Sequence, residues 1–413
     1  MELRDYQKEI SQQAKIILEK YKIVYLAMQV RTGKTLTALE TVYLCNFQKC
    51  LFVTKLKAIK SIESDYNNGN YFFKLTVINY ESVAKVGNDF DVIIIDEAHS
   101  LGAYPKPSIR TKTLKKICEN KPIIYLSGTP SPESYSQLYH QFFISSYSPF
   151  SSFVNFYKFA KEYITVKKMM FKGLTINNYS NCNKEMVDIE TKHLFLNYTQ
   201  KQAGFVSEIV EKTMFVDCNP NLEILKNILL KDRYYKFKNG DEIVCDTPAS
   251  LQNKIHQIDS GTVITETGTT ILCDAKAVEI HRVYQRNKSQ NQMYKIAIFY
   301  KFVAEGEVLK SKFPNWTDSP EQYQKDKNKV FLCQIQSGAR GIDLSTADVL
   351  YFYNIDFSAE TYWQARARLQ HITKAESRVV WVFNRLGIES KIYQAVQKKK
   401  SYTTSYFKKD YQC

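Results

Sequence analysis

The segment MQVRTGKT, from Met28 to Thr35, follows a short apolar run and precedes a helical pattern. Backbone N–H groups at the start of a helix in this context bind phosphate. Gly33 lets the backbone approach closely, Lys34 can pair with the β- and γ-phosphates of a nucleotide, and the Thr35 hydroxyl can ligate Mg²⁺. Met28 stands where the usual pattern has its first glycine. The segment therefore predicts a phosphate-binding loop with one departure.

Two adjacent carboxylates, Asp96 and Glu97, end the apolar run in VIIIDEAHS. A nucleotide hydrolase needs one carboxylate to hold Mg²⁺ and a second to activate the attacking water. An acidic helix start could produce the same pair, but it would not account for a phosphate loop upstream at this separation. The two motifs together predict a nucleotide-hydrolysing lobe.

The segment LSGTP, Leu126 to Pro130, lies at the end of the next apolar run. Taken alone it is a turn. Its position one strand after the carboxylates predicts that Ser127 and Thr129 connect the nucleotide site to movement of a nucleic-acid strand.

Short apolar runs alternate with helical stretches in two parts of the chain. The predicted strands are Ile23–Ala27, Leu51–Thr54, Leu75–Ile78, Val92–Asp96 and Ile123–Ser127 in the first part, and Ile296–Tyr300, Val330–Ile335, Val349–Tyr353 and Val379–Phe383 in the second. Continuous apolar runs are typical of strands buried on both faces of a parallel sheet. The fold class predicted is α/β, with two doubly wound parallel-sheet lobes.

The alternation of apolar runs and helical stretches ends near Pro149, and the predicted domain boundaries follow from this change. We predict a first lobe over 1–149, an inserted and mostly helical region over 150–270, and a second lobe with a basic C-terminal tail over 271–413. Within the inserted region, Asn239-Gly240 lies between alternating residues and predicts a hairpin with a two-residue type I′ turn.

The amino-acid composition indicates which kinds of partner the protein could bind. Lys and Arg number 57 against 42 Asp and Glu, a net charge of +15. Such an excess favours a polyanion partner, although a basic protein without one fits the charge equally well. The nine cysteines form no C-x-x-C pair, so we expect reduced thiols and no zinc site. No apolar run approaches the ~18 residues of a membrane span. We expect a cytoplasmic protein, monomeric when free.

In order along the chain, these segments resemble the motifs of superfamily 2 helicases, Swi/Snf-type, especially compact phage and bacterial members. The matching segments are LRDYQ (Leu3–Gln7, Q motif), MQVRTGKT (motif I), VTKLKAI (Val53–Ile59, Ia), INYES (Ile78–Ser82, Ib), DEAH (Asp96–His99, II), SGTP (III), IAIFYKF (Ile296–Phe302, IV), SGARGIDL (Ser337–Leu344, V) and YWQARARLQH (Tyr362–His371, VI). The segments LQNKIHQIDSG (Leu251–Gly261) and DAKAVEI (Asp274–Ile280) resemble the entry into the second lobe. The resemblance spans nearly the whole chain and implies RecA-like lobes.

The resemblance also implies roles for individual residues. ATP would be bound by Gln7, Arg31, Thr32, Gly33, Lys34, Thr35, Gly341, Asp343, Gln364 and Arg368. Catalysis would rest on Lys34, Asp96, Glu97 and Arg368, with Mg²⁺ on Thr35 and Asp96. Coupling would use His99, Ser127 and Thr129, and DNA would contact Lys55, Tyr80 and Ser337.

Motif VI departs from the family pattern. His371 stands where the family has a second arginine, the one that stabilises charge on the γ-phosphate. Such an arginine contributes ~10³–10⁵ in rate, and Arg366 or Arg368 could supply the charge in a shifted register. Three functions stay open at this point: an ATP-dependent DNA translocase or helicase, a nucleotide-gated DNA clamp with weak or no hydrolysis, and an RNA-directed helicase.

Overall fold

The chain folds as two compact units, Met1–Gly204 and Phe205–Cys413, in a computed structural model. The structure describes residues 2–171, 174–205, 208–338, 342, 344–369, 376–398 and 402–411. Within these residues, no helix combines the length and the apolar character that crossing a membrane requires.

The first unit is built on a six-stranded parallel sheet. Its helices and strands are, in chain order, α1 (Asp5–Tyr21), β1 (Ile23–Met28), α2 (Lys34–Leu44), β2 (Lys49–Thr54), α3 (Ile59–Asn68), β3 (Lys74–Asn79), β4 (Val92–Asp96), α4 (Ile109–Ile117), β5 (Ile123–Leu126), α5 (Gln137–Phe142), α6 (Phe156–Tyr163), β6 (Lys167–Phe171), β7 (Leu174–Asn178), α7 (Lys184–Thr191) and β8 (Phe195–Tyr198). The strands lie in the order β3-β2-β4-β5-β1-β8, and each neighbouring pair is parallel.

Each face of this sheet carries its own hydrophobic core. Along β1, Tyr25 and Ala27 pack into one core, whereas Val24, Leu26 and Met28 pack into the other. Side chains of a strand alternate between the two faces, so a strand between two layers of helices must be apolar at every position. That requirement explains the continuous apolar runs from which β1, β2, β4 and β5 were predicted.

The second unit repeats this plan. Its elements are β9 (Glu208–Val216), α8 (Asn221–Asp232), β10 (Tyr234–Lys236), β11 (Glu242–Val244), α9 (Pro248–Asp259), β12 (Thr262–Ile264), β13 (Thr269–Ile271), α10 (Ala275–Gln290), β14 (Ile296–Tyr300), α11 (Val303–Lys312), β15 (Trp316–Thr317), α12 (Pro320–Lys325), β16 (Val330–Gln334), α13 (Ile335–Gly338), β17 (Val349–Phe352), α14 (Ala359–Arg366), β18 (Glu376–Asn384), α15 (Glu389–Gln397) and α16 (Thr404–Tyr411). Its parallel sheet has the order β15-β16-β14-β17-β18-β9. The predicted class, two doubly wound RecA-like α/β lobes, is confirmed.

The predicted inserted region over 150–270 is not a unit of its own. Strand β8 extends the first sheet beside β1, and β9 extends the second sheet beside β18. The region contains strands β6–β13 as well as helices α6–α9, so it is not mostly helical. The boundary between units falls instead after Gly204. Both β8 and β9 are edge strands with partly exposed residues, and polar residues interrupt the apolar ones in both, so neither shows the continuous run of a strand buried on both faces.

The predicted hairpin forms, but its turn is longer than predicted. Strands β10 and β11 pair antiparallel up to Lys236 and Glu242. Beyond them the Phe237 N–H donates to the Asp241 carbonyl (2.7 Å), and Gly240 takes a φ of +95°. A three-residue loop with glycine in the left-handed region is the next most common hairpin connection after the two-residue turns. The predicted type I′ turn is therefore wrong.

His140 of α5 makes a pH-dependent contribution to stability. The side chain is 2% exposed, and its Nδ1 donates to the Ala103 carbonyl oxygen (2.6 Å). Burial lowers the pKa of His140 to about 4, against the opposing effect of this hydrogen bond. The unfolded chain therefore takes up the proton first as pH falls. The contribution of neutral His140 to the free energy of unfolding is fully present above the ordinary histidine pKa of ~6.5. It is lost as pH falls towards 4.

We predict that the free energy of unfolding falls by about 2 kcal/mol more between pH 7 and pH 5 in the wild type than in His140→Gln. Urea unfolding at the two pH values measures the difference. His193→Gln, a change at an exposed histidine of the same unit, should keep the wild-type dependence. An unchanged pH dependence in His140→Gln would contradict the assignment.

Candidate nucleotide-hydrolysis site

Three predicted motifs meet at one edge of the first sheet. The loop 29–33 follows β1, Asp96 ends β4, and Ser127 follows β5. These strands are neighbours in the order β4-β5-β1 and run parallel. Their carboxyl ends therefore lie together, which is where open α/β sheets bind ligands.

The phosphate loop closes on the carbonyl oxygen of Gln29. That oxygen accepts from the Thr32 N–H (3.3 Å), the Thr32 hydroxyl (2.7 Å) and the Lys34 ammonium (3.4 Å). Arg31 and Gly33 adopt left-handed backbone conformations, with φ of +68° and +83°. Helix α2 starts directly after Gly33, which supplies no capping side chain. The first N–H groups of a helix have no partner within the helix, so this end of α2 suits a phosphate.

Gly33 cannot be replaced without disturbing the loop. Its carbonyl oxygen accepts from Gln7 Nε2 (3.4 Å), and a Cβ on Gly33 would lie 2.0 Å from that nitrogen. The φ of +83° also disfavours any side chain. Loop strain of this kind costs ~1–3 kcal/mol.

We predict that Gly33→Ala weakens ATP binding by about tenfold or more, since 1.4 kcal/mol corresponds to a factor of ten. Titration with a fluorescent ATP analogue measures the affinity. Gly240→Ala is the matched control, because Gly240 also has a positive φ but a Cβ there meets nothing within 4 Å. Wild-type affinity in Gly33→Ala would show that the loop does not approach the nucleotide.

Asp96 and Glu97 lie close together in a partly buried environment. One carboxylate oxygen of Asp96 accepts from the Thr54 hydroxyl (2.7 Å), and the other accepts from the Glu97 N–H (2.9 Å). Burial and the neighbouring Glu97 charge raise the pKa of Asp96 to about 6, opposed by Thr54 and by the Lys34 charge. Glu97 takes a φ of +51°, an uncommon conformation for a residue with a side chain.

The residues at this edge fit Mg²⁺. A buried carboxylate beside a second carboxylate favours a nearby cation, which would restore the ionised form of Asp96. No cluster of three or more His, Cys, Asp or Glu side chains with metal-ligand geometry occurs in the described part of the chain. Mg²⁺ is usually held by one or two carboxylates together with phosphate oxygens and water. Asp96 is one such carboxylate, and the predicted contribution of the Thr35 hydroxyl stays a prediction.

The predicted coupling residues form a connected chain. His99 is buried, and its Nδ1 lies 3.4 Å from a Glu97 carboxylate oxygen and 2.8 Å from Ser127 Oγ. Ser127 Oγ also accepts from the Thr129 N–H (3.1 Å). The structure therefore brings together the four residues that lead from the carboxylates to the SGTP loop.

Tyr80 was predicted to contact DNA, but its side chain is buried. The side chain is 5% exposed, its hydroxyl donates to the Asp96 carbonyl oxygen, and the Arg110 guanidinium lies 4.6 Å from its ring centre. A ring buried in this way supports the backbone of the carboxylate motif, so the predicted DNA contact is corrected. Lys55 follows β2 and is partly exposed, and its contact with DNA stays a prediction.

Gln7, the predicted adenine reader, contacts the phosphate loop. Its Oε1 accepts from the Arg4 N–H (2.9 Å), and its Nε2 donates to the Gly33 carbonyl oxygen. The side chain is 4% exposed. Its contact with adenine stays a prediction, and its support of the loop was not foreseen. Thr54 was also missed, although a hydroxyl directly after a buried apolar run was a usable signal.

The predicted residues of the second unit are only partly described. Gly341, Asp343 and His371 lie outside the described residues, as does the side chain of Ser337. Gln364 and Arg366 belong to α14, and Arg368 follows in a short 3₁₀ helix.

Arg366 is held by a carboxylate that the sequence did not reveal. Its Nε pairs with Glu211 of β9. The same carboxylate accepts hydrogen bonds from Tyr362 (2.7 Å), Trp381 (3.2 Å), Tyr393 (2.8 Å) and Gln397 (2.7 Å). Burial would raise the pKa of Glu211, but the Tyr362 hydrogen bond and the Arg366 charge outweigh it and lower the pKa. Arg366 is thus part of the internal structure of this unit.

The chain is similar to known proteins in one part of its sequence and in its fold. The helicase conserved C-terminal domain matches residues 316–372. The Hef helicase domain of Pyrococcus furiosus is 11% identical, with a TM-score of 0.50, over 95% of this chain and 97% of that one. The SWI2/SNF2 ATPase core of Sulfolobus solfataricus in complex with dsDNA is 15% identical, with a TM-score of 0.42, over 99% and 92%. No curated protein sequence matches the chain.

The fold of the chain is similar to that of the Hef helicase domain. Residues 316–372, which lie in the second unit, match the helicase conserved C-terminal domain, and that segment includes the predicted motifs V and VI.

Proposed function

We propose that this chain is an ATP-dependent DNA translocase or helicase of the Swi/Snf type. One observation carries the proposal: the phosphate loop, the carboxylate pair and the His99–Ser127 contact lie together at the carboxyl edge of one sheet. A helix start suited to phosphate and a carboxylate pair suited to Mg²⁺ and water are the recurring parts of an ATPase site.

Residues of the first unit have different roles in ATP hydrolysis. Lys34 and the N–H groups at the start of α2 hold the β- and γ-phosphates, and Lys34 leaves the Gln29 carbonyl to do so. Mg²⁺ bound by Thr35 and Asp96 would neutralise charge on the phosphate oxygens. Glu97 orients and deprotonates the attacking water. His99, in contact with both Glu97 and Ser127, relays the state of the site to the SGTP loop.

We assign Gln364, Arg368, Gly341 and Asp343 to the nucleotide as the contribution of the second unit. We assign the stabilisation of charge on the γ-phosphate to Arg368, since Arg366 forms an ion pair with Glu211 within the second unit. DNA is the proposed track, bound through phosphates by Lys55 and Ser337 and supported by the net charge of +15. Binding should therefore weaken as salt rises and depend little on base sequence.

The decisive experiment is steady-state ATP hydrolysis without nucleic acid and with duplex DNA, single-stranded DNA or RNA. Lys34→Ala gives the background rate. Stimulation by duplex DNA above the other polymers supports a translocase, and displacement of a third strand from a triplex then shows movement without unwinding. Stimulation by RNA alone would indicate an RNA-directed helicase. Background hydrolysis with every polymer, combined with tight binding of ATP and DNA, would leave only the nucleotide-gated clamp.

A further inference from the structure

The outer side of the phosphate loop is held by two segments outside the loop itself. One is the start of α1, which contributes Tyr6 and Gln7. The other is the turn that follows β8, residues 199–204, which we call the post-β8 turn. The first belongs to a motif recognised in the sequence, whereas the second does not.

Gln200 of the post-β8 turn contacts two successive loop residues. Its N–H donates to Gln29 Oε1 (2.8 Å), and its Nε2 donates to the Val30 carbonyl oxygen (2.8 Å). Just before the turn, the Tyr198 carbonyl oxygen accepts from the Gln29 N–H (2.9 Å). The ring of Tyr198 stacks on Tyr6 at 4.6 Å between centres.

These contacts fix three carbonyl oxygens of the phosphate loop. Side chains donate to the carbonyl oxygens of Val30, Thr32 and Gly33, from Gln200, Tyr6 and Gln7 respectively. In a phosphate loop the N–H groups must point at the ligand. Fixing the carbonyls from the outside restricts the loop before any ligand arrives, and a preorganised loop loses less entropy on binding.

Hydrogen bonds between residues of the post-β8 turn fix its conformation. The Thr199 N–H and hydroxyl both donate to Gln202 Oε1, each at 2.8 Å, and the Gly204 N–H donates to the Lys201 carbonyl oxygen (3.1 Å). Gly204 is the last residue of the first unit. The position of Gln200 is therefore set by a short turn that ends at the junction of the two units along the chain.

Gln29 contacts both the post-β8 turn and Lys34, the residue that we assign to the phosphates. Its carbonyl oxygen holds the Lys34 ammonium, while its N–H and side chain bind Tyr198 and Gln200. A nucleotide that draws Lys34 to its phosphates removes one donor from Gln29. By thermodynamic linkage, a change in the turn then changes nucleotide affinity, and nucleotide changes the turn.

We propose that Gln200 is a positioning residue of the phosphate loop, and that nucleotide occupancy of the loop is coupled to the conformation of the post-β8 turn. The inference deepens the proposed function and rests on it for the identity of the nucleotide. The hydrogen bonds of Gln200 and Tyr198 to the loop, which we call the brace, are present in the chain without nucleotide.

Two variants of the full chain test the brace. Gln200→Ala removes the side chain, and Gln200→Glu keeps its shape but replaces the donating amide with a carboxylate. Both should weaken binding of a fluorescent ATP analogue by about three- to tenfold, the size expected for one lost hydrogen bond. Gln12→Ala, at an exposed glutamine of α1, should bind as the wild type does.

Hydrogen exchange supplies a readout that a merely structural role would not move. Amides of residues 29–33 should exchange faster in both Gln200 variants without nucleotide, while the rest of the first sheet keeps its protection. ATP should slow exchange at residues 199–204 in the wild type and not in the variants. Wild-type affinity and wild-type exchange in both variants would overturn the inference. A wild type that binds no ATP would defeat the proposed function and the coupling, whereas exchange at residues 29–33 would still test the brace.

Discussion

Glu97→Gln is expected to lower ATP hydrolysis by about 10²–10⁴-fold, the usual contribution of a positioned general base. ATP binding should stay close to that of the wild type, because the phosphates are held by Lys34 and the start of α2. The amide keeps the size of the side chain and can still lie beside His99, which is 3.4 Å from the Glu97 carboxylate. The ability to take a proton from water is lost.

Single-turnover hydrolysis and titration with a fluorescent ATP analogue separate chemistry from binding in this variant. Glu119→Gln is the matched control, since Glu119 is an exposed glutamate of the same unit outside the motifs. A Glu97→Gln rate within threefold of the wild type would mean that another group activates the water. The carboxylate pair would then lose its assigned role.

The two arginines near the end of α14 should behave in opposite ways. Arg368→Ala should lower kcat by ~10³–10⁵, the contribution of an arginine that stabilises charge on the γ-phosphate. KM for ATP should change little. Arg366→Ala should instead destabilise the second unit by about 2 kcal/mol, because Glu211 would keep a partly buried charge without its cationic partner.

Steady-state kinetics with duplex DNA and urea unfolding, measured on both variants, distinguish the two roles. The four neutral donors that remain on Glu211 should limit the damage in Arg366→Ala and allow it to fold. The reverse pattern, with kcat lost in Arg366→Ala at unchanged stability, would assign the charge on the γ-phosphate to Arg366. Loss of kcat in neither variant would agree with a clamp that hydrolyses ATP slowly.

The sequence alone determined the central strands of both sheets and the order of the motifs that follow them. Strands such as β1, β4 and β14 are covered on both faces, so nearly every residue must be apolar, and the pattern is local. The chemistry at their carboxyl ends is also local, because the phosphate loop and the DEAH segment are each a few consecutive residues. These features could be predicted without knowing what lies across the sheet.

Only the tertiary structure decided which residues support those motifs. The Gln29–Gln200 contact joins residues 171 positions apart, and Arg366 meets Glu211 across 155 positions. A polar side chain gives no local sign of a partner that distant. The same reason explains the unit boundary and Tyr80. Edge strands β8 and β9 show their place only by pairing, and Tyr80 shows its burial only when Asp96 and Arg110 close over it.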